Sequence, residues 1–338
     1  MNQPLLDVRD LRVHFPVFRG FVQRILGGGD VKVHAVDGVT FSIAEGEVFG
    51  LVGESGCGKS TIAKTLVGLV RATSGEILFR GEDITRPDPK TLFRVRERIQ
   101  LIYQDAHAAL SPAMSIGEAI ADVLRTHGLP TETGERIAPR SEQALREAVA
   151  AILYDVGLRP PAYYYDKYPD ELSGGQKQRA MVATVMATEA PLMFLDEPTI
   201  GLDPFARRAV WDVLRELTRK GSTVLLTTHY LDEAEALSER LYIVEEGRVL
   251  FEGTAENAKR QIGGTLRVSI EDGGHQRNLF ESFGQLVEEG NALYVITGPE
   301  RIHEIMDLAL RNRLSATVGP VTLEEAFLTI VGRSIDAE

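Results

Sequence analysis

The chain has 338 residues, enough for about two domains and for a hydrophobic core that needs no disulfide or metal for its stability. Its 37 lysines and arginines are outnumbered by 49 aspartates and glutamates, which gives a formal net charge of −12. Dedicated nucleic-acid-binding proteins are typically basic, so we expect no nucleic-acid partner. The single cysteine, Cys57, excludes an internal disulfide and any four-cysteine metal site, and it favours a reducing, cytosolic setting.

The alternation of short apolar runs with helical stretches predicts an α/β fold with a largely parallel sheet. In chain order, the clearest predicted elements are a strand at Glu47–Val52, a helix at Lys59–Val70, and strands at Leu192–Leu195 and Thr223–Thr227. The apolar runs are strand-sized and the N-terminal segment already contains Asp7, so we expect neither a membrane span nor a secretory signal. Sheets of this kind place ligands at the carboxyl ends of their strands.

Two regions depart from this core pattern. Residues 106 to 179 are mostly helical, which predicts a helical subdomain inserted into the α/β core. From residue 265 the units are shorter, with predicted strands at Leu266–Ile270, Ala292–Ile296 and Ala316–Val318, and helices at Leu279–Leu286, Arg301–Arg311 and from Leu323 onward. Thr322 and Glu325 form a capping-box pattern at the last helix. We therefore predict a core domain at residues 1–264 and a small α/β domain at residues 265–338.

A glycine-rich segment follows the first predicted buried strand. Its residues fit the pattern Gly-x-x-x-x-Gly-Lys-Ser/Thr of a phosphate-binding loop: Gly53, Glu54, Ser55, Gly56, Cys57, Gly58, Lys59 and Ser60. Such a turn lets backbone N–H groups converge on a polyphosphate, and the following helix adds the positive end of its dipole. We predict that Lys59 reaches the β- and γ-phosphates and that Ser60 offers its hydroxyl to Mg²⁺.

Two carboxylates end the apolar strand at Leu192–Leu195. We predict that Asp196 holds Mg²⁺ through its water shell and that Glu197 activates the attacking water as a general base. The alternative is a strand that ends in a solvated acidic turn, which is common for an isolated Asp-Glu pair. Because a phosphate-binding loop precedes this pair in the same predicted sheet, we favour a nucleotide-hydrolysing P-loop NTPase.

A third segment, Leu172–Arg179, reads Leu-Ser-Gly-Gly-Gln-Lys-Gln-Arg and leads into a predicted helix. Ser173 and the two glycines after it would free backbone N–H groups for a second anion contact. With this segment, the phosphate-binding loop and the acidic strand in place, the sequence resembles the ATP-binding subunits of ABC transporters. Three smaller motifs follow the order of that family: Gln104 resembles its Q-loop, Gly201–Asp203 its D-loop and His229 its switch histidine.

The resemblance implies roles that the spacing alone does not define. Gln104 would contact Mg²⁺ and water and would sense the membrane partner. His229 would contact the γ-phosphate and hold the attacking water. An aromatic residue of an early strand would stack on adenine; Phe15 is our candidate, with Phe18 and Phe21 as rivals.

The resemblance also implies an assembly. Two ATP-binding subunits, identical or different, would pack head to tail, so that the second subunit covers the nucleotide held by Gly53–Thr61 of the first. The contacts from the second subunit would come from Ser173, Gly174, Gly175, Gln176 and Asp203. Transmembrane subunits would hold the pair at the cytoplasmic face of the cell membrane. We therefore expect an ATPase that uses ATP and Mg²⁺ to drive transport.

The direction of transport is ambiguous in the sequence. From Leu5 to Arg179 the sequence resembles those of peptide-importer ATPases, for example at Ala35–Val39. After the acidic strand, Pro198–Pro204 and Val321–Leu328 resemble the ATPases of drug and polysaccharide exporters. We favour export because the whole C-terminal domain is similar to that group, and we keep import of peptides or similar solutes as the alternative.

Two other classes of protein remain as weaker alternatives. A soluble ABC ATPase of translation or DNA repair usually carries two phosphate-binding loops or a long coiled coil, whereas this chain has one such loop and no sustained heptad repeat. A small-molecule kinase with a phosphate-binding loop lacks a segment like Leu172–Arg179. We therefore expect a transporter subunit.

Overall fold

The structure is a computed structural model that describes residues 3–16, 32–102, 110–130, 136–139, 141–262, 264–271, 273–289 and 291–332, without the side chains of residues 130, 288 and 289. Its helices are α1 (Lys59–Leu66), α2 (Pro89–Arg98), α3 (Ile116–His127), α4 (Glu142–Asp155), α5 (Pro161–Tyr165), α6 (Gly174–Met186), α7 (Pro204–Arg219), α8 (Leu231–Leu237), α9 (Ala255–Arg260), α10 (Ile302–Arg311) and α11 (Leu323–Val331). Within these ranges, none of the helices combines the length and the hydropathy that a membrane span needs.

The strands are β1 (Leu6–Pro16), β2 (Lys32–Ile43), β3 (Val48–Val52), β4 (Ser74–Phe79), β5 (Glu82–Asp83), β6 (Ile99–Ile102), β7 (Leu129–Pro130), β8 (Arg136–Ile137), β9 (Leu192–Asp196), β10 (Thr223–Thr228), β11 (Arg240–Glu245), β12 (Arg248–Gly253), β13 (Leu266–Ile270), β14 (Gln285–Glu289), β15 (Ala292–Thr297) and β16 (Ala316–Pro320). Short 3₁₀ helices lie at Pro169–Glu171, Gly274–Leu279 and Pro299–Arg301. The α/β class predicted from the sequence is confirmed.

A six-stranded sheet forms the centre of the protein, in the order β12-β11-β3-β10-β9-β6. Its strands are parallel except for β12, which pairs antiparallel with β11 at one edge. Alternate residues of β9 join different hydrophobic cores, Leu192 and Phe194 on one face, Met193 and Leu195 on the other. Strands covered on both faces must be apolar throughout, which explains why they read as continuous apolar runs.

A second sheet, β2-β1-β4-β5, is antiparallel throughout. Its buried residues, among them Leu6 and Phe41, share one hydrophobic core with Ile62 and Leu66 of α1 and with one face of the central sheet. The helix that follows the phosphate-binding loop is thus anchored in a core to which two sheets contribute, and this packing fixes its direction.

The region predicted to be helical contains α3, α4 and α5 and the start of α6. Ser115 caps α3. Its hydroxyl accepts a hydrogen bond from the backbone N–H of Glu118, and the Glu118 carboxylate accepts one from the backbone N–H of Ser115. The buried faces of these helices, with Ile120 and Val149, join the core on one face of the central sheet. The interpretation of residues 106–179 as a separate subdomain stays a prediction.

A further four-stranded antiparallel sheet, β14-β15-β13-β16, lies near the end of the chain. It packs on α10 around a core that contains Val268, Phe280 and Ile305. A different cluster connects this part to the central sheet, since Leu323 of α11 belongs to the same core as Leu241 of β11. The predicted domain boundary at residue 264 stays a prediction.

The predicted helix at Leu279–Leu286 is wrong. The chain forms a 3₁₀ helix as far as Leu279 and then the strand β14, which pairs with β15. A Cβ on Gly284 would lie 2.0 Å from the carbonyl oxygen of Ile296, so the backbone here lies directly against the neighbouring strand. Pairing between strands has overridden a weak local preference for helix.

Candidate active site

The segment between β3 and α1 is a tight loop at the carboxyl end of β3. Gly56 and Gly58 have φ angles of 87° and 111°, in the left-handed region that side chains rarely adopt. A Cβ on Gly53 would lie 2.2 Å from the carbonyl oxygen of Val244, and one on Gly58 would lie 2.3 Å from that of Ala35. Both the conformation of this turn and its close backbone approaches therefore require glycine.

Lys59 opens α1, and its side chain folds back over the loop. The residue is 3 % exposed, and its Nζ donates to the carbonyl oxygens of Gly53 at 2.7 Å and Glu54 at 2.8 Å. Glu54 and Ser55 form the exposed rim of the loop. An ammonium group held this way is able to exchange the two carbonyl oxygens for phosphate oxygens, which are stronger acceptors.

Cys57 is buried on the inner side of the same loop. Its backbone ties the loop to its surroundings, since its N–H donates to the carbonyl of Glu54 and its carbonyl accepts from Gly247 at 3.0 Å. Burial raises the pKa of the Cys57 thiol above its ordinary value, and the charge of Lys59 opposes this shift only in part. The thiol therefore packs as a neutral group.

Ser60 and Asp196 meet where α1 begins and β9 ends. Ser60 Oγ donates to Asp196 Oδ1 at 2.9 Å, and Thr227 Oγ1 donates to the same oxygen at 2.5 Å. Thr227 lies opposite Asp196 in the parallel register of β10 and β9. Carboxylate and hydroxyl oxygens are ligands that Mg²⁺ prefers, so the residues present fit the predicted magnesium site.

Glu197 follows Asp196 in an unusual backbone conformation. Its φ is 49°, and its N–H donates to the carbonyl of Thr227 at 2.9 Å. Its Oε1 lies 3.3 Å from Nδ1 of His229, and the residue is 8 % exposed. Strained positions of this kind cluster at functional sites. The ends of β9 and β10 bring together the two residues predicted to act as general base and switch histidine.

The second predicted anion-binding segment begins α6. The Ser173 hydroxyl accepts from the N–H of Gln176 at 3.4 Å, and the Gln176 side chain accepts from the N–H of Ser173 at 2.9 Å, which forms a capping box. Ser173 and Gly174 are exposed, whereas Gly175 is buried. A Cβ on Gly175 would lie 2.6 Å from that of Ala206, so this glycine allows α6 to approach α7 closely.

Asp203 is exposed and caps α7. Its carboxylate accepts hydrogen bonds from the backbone N–H groups of Phe205 at 2.9 Å and Ala206 at 3.0 Å. These bonds fix the direction in which the turn at residues 198–203 enters the helix. The predicted D-loop residue thus has a structural role in its own subunit, and its contact with a second subunit stays a prediction.

Phe15, the residue predicted to stack on adenine, lies near the end of β1 opposite Val33 of β2. It is 41 % exposed, which is unusual for a phenylalanine in a sheet and leaves part of its ring open to a planar ligand. Its rivals Phe18 and Phe21 lie outside the described residues, and so does Gln104, the predicted Q-loop residue.

Comparison with known proteins decides the family. A family model described as ABC transporter matches residues 36–200. The oligopeptide transport ATP-binding protein OppF of Escherichia coli K12 is 38% identical over 251 residues, which cover 74% of this chain and 71% of OppF. This chain belongs to the ATP-binding subunits of ABC transporters. As an ABC ATPase it binds and hydrolyses ATP.

Solved structures agree with this assignment of the fold. The ABC ATPase resembles cbiO1 of Clostridium perfringens, part of the ABC transporter complex cbiONQ, with a TM-score of 0.61 and 26% identity over 78% of this chain and 95% of cbiO1. It also resembles an ATP-binding cassette solved as a dimer in a post-hydrolysis state with ADP and phosphate, with a TM-score of 0.60 and 24% identity over 74% of this chain and 98% of the cassette. The P-loop NTPase core predicted from the sequence is confirmed.

The sequence motifs did not reveal three polar residues that the structure places beside the site of this ABC ATPase. Thr227 donates to Asp196, while Thr199 and Glu233 are fully buried and bond to each other at 2.8 Å. A polar residue inside an apolar strand was the available signal for Thr227. The sequence signal that could have revealed Glu233 was an acidic residue on the inner face of a short helix that begins just after His229.

Proposed function

We propose that this ABC ATPase powers the uptake of oligopeptides or similar solutes through transmembrane subunits, at the cytoplasmic face of a membrane. The observation that carries the proposal is its similarity to OppF, an oligopeptide transport ATP-binding protein, over most of both chains. The sequence motifs after Glu197 favoured export, whereas these relatives favour import. Export remains the second candidate, on the resemblance of Val321–Leu328 to exporter ATPases.

In the proposed site, the loop Gly53–Thr61 holds the phosphates of ATP with its backbone N–H groups, and Lys59 neutralises the β- and γ-phosphates. Ser60 and Gln104 would hold Mg²⁺, and Asp196 would hold it through its water shell; the ion would supply neutralisation of charge on the phosphate oxygens. The glycine cradle, the enclosed Lys59 ammonium and the bond from Ser60 to Asp196 support this arrangement.

Hydrolysis uses the pair of residues at the ends of β9 and β10. Glu197 takes a proton from the attacking water, and His229 holds that water against the γ-phosphate, so that the products are ADP and phosphate. The 3.3 Å separation of Glu197 Oε1 and His229 Nδ1 supports these roles. The backbone bond from Glu197 to Thr227 keeps the carboxylate at the end of the strand.

A second ATP-binding subunit, identical or different, completes the site. Ser173, Gly174, Gly175, Gln176 and Asp203 of one subunit cover the nucleotide of the other, and Phe15 stacks on the adenine. The exposure of Ser173 and Asp203 supports these contacts, as does the dimeric state of the similar cassette. ATP favours the closed pair and hydrolysis releases it, and residues 106–179 transmit this motion to the transmembrane subunits.

The direction of transport is tested with the complex extracted from its native membrane through an affinity tag on this chain. For import, we expect two permease subunits to co-purify. In liposomes with ATP on the ATPase side, labelled peptide is expected to accumulate on that side only when a peptide-loaded solute-binding protein is present on the other. A complex that carries Glu197→Gln is the matched control. Movement of solute away from the ATPase side would contradict import and leave the ATPase assignment intact.

A further inference from the structure

A buried carboxyl group lies behind the proposed catalytic pair. Glu233, in the first turn of α8, has 0 % of its surface exposed. Its Oε1 accepts hydrogen bonds from Thr199 Oγ1 at 2.8 Å and from Trp211 Nε1 at 3.0 Å. Its Oε2 is also buried, and the Thr228 side chain, next to His229 in the chain, is a further polar neighbour of the carboxyl group. Burying a carboxyl group is costly, and the two bonds at Oε1 offset only part of that cost, so its position requires an explanation.

The two donors come from segments on either side of Asp203. Thr199 is fully buried in the turn before Asp203, and Trp211 lies on α7, the helix that Asp203 caps. Glu233 belongs to the segment that continues directly from His229 into α8. One carboxyl group therefore joins the turn, the helix and the segment that carries the switch histidine.

A second contact connects the same elements at the surface. Arg207 of α7 pairs with Asp232 at 3.2 Å, and its guanidinium lies 4.0 Å from the ring centre of Tyr230. The Asp232 side chain is 61% exposed, so solvent screens this ion pair and it contributes little. The buried hydrogen bonds of Glu233 are therefore the stronger link between α7 and the segment of His229.

We propose that Glu233 is a positioning residue for ATP hydrolysis. It fixes the position of His229 relative to the turn that carries Asp203. It acts through His229, which lies beside Glu197, and the proposal rests on the roles proposed above for His229 and Asp203. In the dimer, contact of Asp203 with the second subunit is transmitted through Thr199 and Trp211 to Glu233. The site hydrolyses ATP efficiently only while this link holds.

The fluorescence of Trp211 reports on this link, because it is the only tryptophan of the chain. In Glu233→Ala, we expect its emission to shift to the red without nucleotide, since water reaches the indole N–H. In the wild-type chain, MgATP is expected to change the emission. Glu233→Ala should lose most of this response, and Glu233→Gln, which keeps an acceptor oxygen at the position of Oε1, should retain it.

Steady-state kinetics of the full-length chain separate positioning from binding. We expect kcat of Glu233→Ala to fall about tenfold or more while KM for ATP changes by less than about twofold, because the phosphate-binding loop is untouched. Glu233→Gln is expected to recover at least about half of the wild-type kcat. Asp232→Asn is the matched control, since it removes only the exposed charge next to Glu233, and its kcat should stay near the wild-type value.

If Glu233→Ala fails to fold, Thr199→Val and Trp211→Phe each remove one donor to Glu233 and leave the carboxyl group in place. Each is expected to lower kcat severalfold at an unchanged KM, and an unchanged kcat in both would overturn the proposal.

Two further results would overturn it: a wild-type kcat in Glu233→Ala, or equal impairment of Glu233→Ala and Glu233→Gln. A wild-type chain that binds ATP without hydrolysing it would instead contradict the proposed function. The response of Trp211 fluorescence to MgATP would still test the role of Glu233. Loss of this response in Glu233→Ala and its retention in Glu233→Gln would support the proposal. Equal responses in these two variants and the wild-type chain would overturn it.

Discussion

Ser60 Oγ donates a hydrogen bond to Asp196 Oδ1 at 2.9 Å, which joins the start of α1 to the end of β9. Lys59, which we propose to bind phosphate, precedes Ser60 in the chain. Glu197, which we propose to activate water, follows Asp196. The bond therefore links the segment proposed to bind phosphate to the segment proposed to activate water.

Glu197→Gln is expected to bind ATP as the wild-type chain does and to lose turnover. The amide keeps the size of the side chain but cannot accept the proton of the attacking water, while the phosphate contacts at residues 53–61 remain. Phosphate release and equilibrium ATP binding measure the two effects, and size-exclusion chromatography with ATP should show an accumulated dimer. Phosphate release near the wild-type rate would contradict the role of Glu197.

Lys59→Ala is expected to lose most of its affinity for ATP, because the enclosed ammonium at the phosphate position is removed. Lys64→Ala, in the last turn of the same helix, is the control and should bind ATP as the wild-type chain does. Titration of each variant with a fluorescent ATP analogue measures the difference. Equal affinity of both variants would argue against phosphate binding by this loop.

The thiol of Cys57 is expected to react slowly with iodoacetamide in the folded chain. Burial raises the pKa of this thiol, so less of the reactive thiolate is present near neutral pH, and the group is also enclosed. Since the chain has one cysteine, mass spectrometry of alkylation over time gives the rate without ambiguity. Urea-unfolded chain is the reference and should react much faster; equal rates would contradict the burial of Cys57.

Glu233 is expected to make the stability of the chain depend on pH. Burial raises the pKa of this carboxyl group above its ordinary value of 4.5, so the folded state binds its proton more tightly than the unfolded state does. The contribution of Glu233 to the free energy of unfolding is fully present below pH 4.5. It is lost as the pH rises through the raised pKa of this group in the folded state.

This dependence is measured by comparison with Glu233→Gln, which does not ionise at that position. The free energy of unfolding of the glutamine variant, relative to the wild-type chain, should increase as the pH rises from about 5 to about 8. Urea unfolding followed by Trp211 fluorescence gives both values. A difference that is constant over this range would show that Glu233 does not titrate there.

Gly175→Ala is expected to lower the free energy of unfolding by about 1–3 kcal/mol, because the added methyl group meets Ala206 of α7. The adjacent Gly174→Ala is a matched control at the start of the same helix, since its Cβ would meet only Leu202, at an ordinary contact distance of 3.6 Å. Urea unfolding of both variants measures the difference, and equal stability would contradict the close packing of α6 on α7.

Local sequence patterns were sufficient for elements that are apolar on both faces or carry their own capping residues. The central strands β9 and β10 were predicted to within one residue of their ends, and Thr322 N–H donates to Glu325 at 2.7 Å at the start of α11, as the capping box predicted. The segment at Leu279–Leu286 was predicted wrongly, because its strand conformation depends on pairing with β15, a partner that no local pattern reveals.

The sequence by itself determined the family and the candidate site of this ABC ATPase, because a phosphate-binding loop and an acidic strand end each need particular residues at close spacing, and the order of the smaller motifs resembles the family. Only the tertiary structure decided how these residues meet. The bond from Ser60 to Asp196, the approach of His229 to Glu197 and the burial of Glu233 join segments that are distant in the chain. Such contacts follow from the parallel order of β3, β10 and β9, which brings their carboxyl ends to one edge of the sheet.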